Sequence, residues 1–121
     1  MSQISLSETT DLLSKLFEER IRLQVFVISD SRTRVSFWGF VDSITREDGV
    51  TISASGPPID LMQGYVRFFP FGDACEFWYG EKRELPPEVQ ASVAHARGSS
   101  CLLFSIRGPF GRERVGLYFD I

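Results

Sequence analysis

Histidine is almost missing from this chain: His95 is the only one in 121 residues. Any Ser-His-Asp or Cys-His mechanism would have to run through that single imidazole. It sits near the end of a short helical pattern, where a histidine commonly settles against the last carbonyls. Cysteine is nearly as scarce, with two residues and no CxxC pair, so Cys75, His95 and Cys101 would lack a fourth ligand for a tetrahedral zinc site. Both cysteines neighbour large apolar residues (Cys75-Glu76-Phe77, Cys101-Leu102-Leu103) and read as small hydrophobes rather than disulfide partners. GxxxxGK[ST], GxGxxG, HExxH and GxSxG are all absent, which removes the usual phosphate-loop, dinucleotide, zincin and α/β-hydrolase routes. No catalytic residue, metal site or cofactor is expected. No apolar run approaches ~18 residues, and the first residues carry no basic stretch leading into an apolar one. A cytoplasmic protein without a membrane segment is the expectation.

A basic surplus is lacking too. The formal net charge is −3, which argues against duplex DNA or an anionic membrane as the main partner. Lys15 and Lys82 are the only lysines, so the other 11 of the 13 basic residues are arginine. Arginine offers a planar fork of donors suited to carboxylate, phosphate and guanine edges. Codon usage in a GC-rich genome produces the same bias, so a local basic patch is open rather than established.

What is present is apolar bulk: the chain is 43% hydrophobic and holds 11 Phe. At this length folding removes roughly 65% of the unfolded chain's surface from water, enough for one core and one domain over residues 1–121. Ser5-Leu6-Ser7-Glu8 has the form of a capping box and should open a helix over 5–20. Leu6, Leu13, Leu16, Phe17 and Ile21 recur at helical spacing and should cover one end of whatever follows.

From Ile21 the apolar period drops to two. Ile21, Leu23, Val25 and Val27 alternate with Arg22, Gln24 and Phe26, as expected of a half-buried strand. A turn at Ser29-Asp30-Ser31-Arg32 leads to a strand over 33–44, with Val35, Phe37, Gly39 and Val41 on one face and Trp38 and Phe40 on the other. Gly39 suggests a bulge or bend. A third strand over 50–54 completes a meander. Residues 65–71 and 74–79 read as a second hairpin, 88–96 as a short helix (with its Pro lead, near 87–96), and 100–107 with 112–121 as a last hairpin. The expected fold class is mainly β (α+β): about seven antiparallel strands forming a small barrel over 21–121, led by the amphipathic helix.

One loop stands out. Arg107-Gly108-Pro109-Phe110-Gly111-Arg112-Glu113-Arg114 places Arg107, Arg112 and Arg114 around Phe110 at a hairpin tip. Arginines beside an aromatic ring can hold a nucleotide base. A protein contact and a plain solvated turn fit the same residues.

Several segments together resemble a PilZ domain: Arg20-Ile21-Arg22 before the first strand, Val41-Asp42-Ser43-Ile44 leading to Gly49-Val50-Thr51-Ile52, Gly64-Tyr65-Val66-Arg67-Phe68, and the closing Val115-Gly116-Leu117-Tyr118-Phe119. The likeness runs from Arg20 to the end of the chain. It implies a small bacterial β-barrel that binds cyclic di-GMP, with Arg20 and Arg22 on phosphate or guanine and Asp42, Ser43 and Gly49 around base and sugar. The family pattern is RxxxR followed by D/NxSxxG. Here the arginines are two apart, Ser43 follows Asp42 directly, and the glycine is delayed to Gly49. A one-residue slip on a strand sends a side chain to the other face. Without the nucleotide, the resemblance implies a regulatory module that contacts another protein or a second copy of itself as a homodimer. A second resemblance, over residues 6–54, is to Sm-like barrels, and implies an RNA-binding or oligomerising ring.

Overall fold

The computed structural model describes residues 1–30, 32–45, 48–55, 65–72, 75–87, 90, 98–108 and 111–121. Helix α1 (Leu6–Glu18) begins where the capping box places it: Glu8 N–H donates to Ser5 Oγ at 3.0 Å and Ser5 N–H donates to Glu8 Oε1 at 3.2 Å. Leu13 and Leu16 are buried as expected, joined by Thr9, whereas Phe17 is 41% exposed. The helix ends in a full Schellman pattern, with Arg20 N–H donating to Phe17 O at 3.2 Å and Ile21 N–H to Leu16 O at 3.0 Å.

The strands are β1 (Ser2–Ile4), β2 (Leu23–Ser29), β3 (Arg32–Thr45), β4 (Gly49–Ala54), β5 (Val66–Pro70), β6 (Phe77–Glu81), β7 (Ser100–Gly108) and β8 (Gly111–Phe119). They form one antiparallel sheet in the order β1-β6-β7-β8-β2-β3-β4-β5. The expected meander and last hairpin are present, and the strand count among the described residues rises to eight because the mostly polar triplet Ser-Gln-Ile pairs with β6.

Two expectations are corrected. Among the described residues the sheet does not close into a barrel, since no backbone ladder joins β1 or β5 back to the other end. The second hairpin is absent as well: β5 pairs with β4 and β6 with β7, at opposite ends of the order. The reason lies at Phe71, whose N–H donates to Asp48 O at 2.9 Å and whose ring meets Phe77 and Phe104 at centroid distances of 4.9 and 5.5 Å. The chain is carried past the turn and across to β6. Most of the short helix expected near 87–96, including His95, lies outside the described residues.

The sheet curls so that β5 faces β7 through side chains. Phe69 meets Phe104 edge-on at 6.2 Å. Beside them Arg67 Nη2 lies 3.3 Å from Glu113 Oε1, and the Arg67 guanidinium sits 5.1 Å from the Phe69 ring centroid. Glu113 is 1% exposed. The concave face packs Leu23, Val25, Val27, Phe37, Val41, Val50, Ile52, Leu102, Val115 and Leu117 under Leu13 and Leu16 of α1.

Strand β2 is buried on both faces, not one, because it lies mid-sheet and its outer Phe26 packs with Leu85, Cys101 and Tyr118 in a second cluster. Burial pushes the Cys101 thiol up to about 11, with the Glu84 charge adding to the effect. The thiolate is the reactive form. Iodoacetamide at pH 8 should therefore alkylate Cys101 roughly 100-fold more slowly than an open thiol on ionisation alone, reaching the open-thiol rate only in denaturant; mass spectrometry of the labelled peptides checks this.

Candidate functional site

The outer face of β3 carries two aromatic rings mid-strand, Trp38 and Phe40, both half-buried. The Arg22 guanidinium carbon lies 4.6 Å from the Trp38 ring centroid, and that of Arg20 lies 4.8 Å from the Phe40 centroid. Cation–π contact holds both planar forks against the sheet.

Arg20 occupies its place at a conformational cost. It is the left-handed residue after α1, with φ of 52°, where a Schellman motif usually carries glycine.

Next along β3 come Asp42 and Ser43. Val41 pairs with Ile52 and Ser43 with Thr51, so Asp42 is the extra residue of a β-bulge. The bulge expected at Gly39 thus falls three residues later. Gly39 serves instead as a point of close approach, where a Cβ would run into the Ser53 carbonyl oxygen. The bulge turns Ser43 outward beside Asp42, and both are exposed. Had the pairing continued unbroken, Ser43 would face the core.

Four of the five residues singled out from the PilZ resemblance, Arg20, Arg22, Asp42 and Ser43, therefore belong to one outer surface. The fifth, Gly49, lies on that face too but is buried beneath the Phe68 ring. Gly49 opens β4 with φ of 153°, and the Phe68 ring lies 2.7 Å from where its Cβ would be, so packing accounts for the glycine. Across β4 the same surface continues: Phe40 pairs with Ser53 and Ser53 with Val66, while Ser43 pairs with Thr51 and Thr51 with Phe68. Val66 is 54% and Phe68 44% exposed, and they give the surface an apolar margin.

No family model, curated protein or solved structure matches this chain. The site is read from its own chemistry.

Of the second group, Arg107 faces Arg112 directly across the β7–β8 ladder and Arg114 lies opposite Ser105, all three exposed. Phe110 lies outside the described residues. Among the described residues no cluster of three or more His, Cys, Asp or Glu could hold a metal ion, and no helix is long and apolar enough to cross a membrane. The platforms Trp38 and Phe40 were not among the expected site residues. Their signal was available in the alternation that turns them away from the core, two residues apart and level with the arginines that precede β2.

Proposed function

We propose that this chain is a non-catalytic regulatory module that binds a cyclic dinucleotide, cyclic di-GMP, on the outer face of β3 to β5. The observation that carries the reading is that Arg20, Arg22, Asp42 and Ser43, some twenty residues apart in sequence, share that face. In this reading the Arg20 and Arg22 forks take phosphate oxygens or a guanine edge. Asp42 and Ser43 accept from and donate to the guanine Watson–Crick edge or the ribose, and Phe68 offers a ring for base stacking. The reading is PilZ-like in using an arginine pair before β2 and an Asp-Ser pair on β3. The module departs from a barrel in that its seam is made by side chains.

Calorimetric titration with cyclic di-GMP tests the proposal. Saturable binding in the micromolar range is expected, weakened at least tenfold by Arg22→Ala. Binding weaker than millimolar, or indifferent to Arg20→Ala and Arg22→Ala, would overturn it. Arg20→Gly separates binding from folding. Relief of the left-handed strain should raise stability by about 0.5–1 kcal/mol, seen as a higher urea midpoint, while nucleotide affinity falls as it does for Arg20→Ala.

The exposed Val66 and Phe68 favour one second reading, a protein-interaction surface on the same face. It predicts that Phe68→Ser improves solubility and leaves nucleotide binding absent in both forms. The Sm-like reading predicts a ring and single-stranded RNA affinity that falls with salt; a monomer in light scattering excludes it.

A further inference from the structure

On the opposite stretch of the outer face, across β6, β7, β8 and β2, lies a groove of about 550 Å³. Its base is a cross-strand row in which Trp78 pairs with Leu103 and Leu103 with Gly116, with the buried Phe26 next in line beyond Gly116. The missing side chain at Gly116 leaves a notch in an otherwise apolar row. Into that notch leans the Tyr118 ring, which would stand 2.8 Å from a Cβ at residue 116.

The polar groups here are few and unevenly placed. Tyr118 is 1% exposed, and among the described residues its hydroxyl makes no hydrogen bond, although no fully buried side-chain polar atom there is left unpaired. Tyr118 lines the groove, with its hydroxyl 3.1 Å from where a Gly116 Cβ would stand. Burial raises its pKa, so it remains a donor. Arg114 stands on the other side of Gly116 along β8, lines the groove and is exposed. The Arg107 and Arg112 pair continues the positive charge past it. Two carboxylates also line the groove: Glu84 is engaged by the Met1 ammonium at 2.5 Å, and Glu76 is not within ion-pair distance of Arg114. A pocket of this size, mostly apolar with a convergent donor and cation, suits a small molecule.

We propose that this groove binds a small carboxylate with an apolar body, its head held between the Arg114 guanidinium and the Tyr118 hydroxyl and its body lying along Leu103 and Trp78. A neutral head would leave the guanidinium without an opposite charge. A second anion would meet Glu76. The site is separate from the β3 face and does not depend on the nucleotide reading.

Decanoate is the probe, with decanol as the neutral control, titrated into the full chain and followed by amide NMR shifts and calorimetry. The expected result is saturable decanoate binding with the largest shifts at Leu103, Gly116 and Tyr118. Decanol should bind at least tenfold more weakly, since charge-assisted hydrogen bonds are lost. Tyr118→Phe keeps the ring and removes the donor, and should weaken decanoate by roughly tenfold. Arg114→Gln, at an exposed position, should do the same without altering the fold. The proposal is overturned by non-saturable binding, by decanol matching decanoate, or by both variants binding as the parent does.

Discussion

Arg67→Met is expected to lower the unfolding free energy by about 3 kcal/mol and the thermal midpoint by roughly 10 °C. Glu113 is 1% exposed, on the core side of β8 next to Val115, and Arg67 is its partner at 3.3 Å. Removing the guanidinium leaves a carboxylate in an apolar interior without an opposite charge, and that penalty exceeds what the pair gains when intact. The Arg67 stem and its stack on Phe69 go with it. Adding Glu113→Gln to Arg67→Met should return at least half of the loss, because a neutral amide is far cheaper to bury than a charge. Urea melts of the two single variants and the double variant form the cycle that measures this. An Arg67→Met loss under 1 kcal/mol would mean that the pair does not hold the curl of the sheet.

Phe104→Ala should cost about 4 kcal/mol. Its ring stands at the meeting point of the two ends of the sheet, edge-on to Phe69 and Phe71 and tilted against Phe77 at 5.8 Å. Alanine leaves a cavity and deletes three aromatic contacts at once. Phe104→Leu keeps most of the volume and should cost no more than about 1.5 kcal/mol. Chemical denaturation checks both. Equal losses in the two variants would show that the ring geometry, not the filled volume, is what matters there.

Much of this was legible in the residues, and the exceptions have physical causes. Helix α1 and strands β2, β4, β7 and β8 announce themselves because their apolar positions keep one period from end to end, and β3 keeps it as far as the bulge at Asp42. Strand β1 does not: three residues, two of them polar, carry no period, and only pairing with β6 makes them a strand. The supposed second hairpin failed because aromatics before and after Gly72 look like two arms of a turn. Nothing local says that Phe71 is claimed by Phe77 and Phe104 instead.

At the site, the outward turn of Ser43 depends on a bulge at Asp42 that alternation alone does not reveal. Val41 and Ile44 are both apolar at an odd spacing, which was the available sign. Glu113 was read as part of a charged loop, yet stepping back by twos from Phe119, Leu117 and Val115 lands on it. Its burial was visible in the pattern, while its partner on β5 was not, because Val66, Phe68 and Phe69 make both faces of that strand look apolar.

Among the described residues, backbone ladders run from β1 to β5 and then stop, and the return is made by rings on β7 and by the ion pair of Arg67 with Glu113 on β8. A ladder opens only by surrendering amide partners, whereas this seam can part with every amide still bonded. Parting the seam would therefore uncover the concave core without breaking a ladder. The side chains that keep that core from water at the seam are few: Arg67, Phe69, Phe71, Phe104 and Glu113.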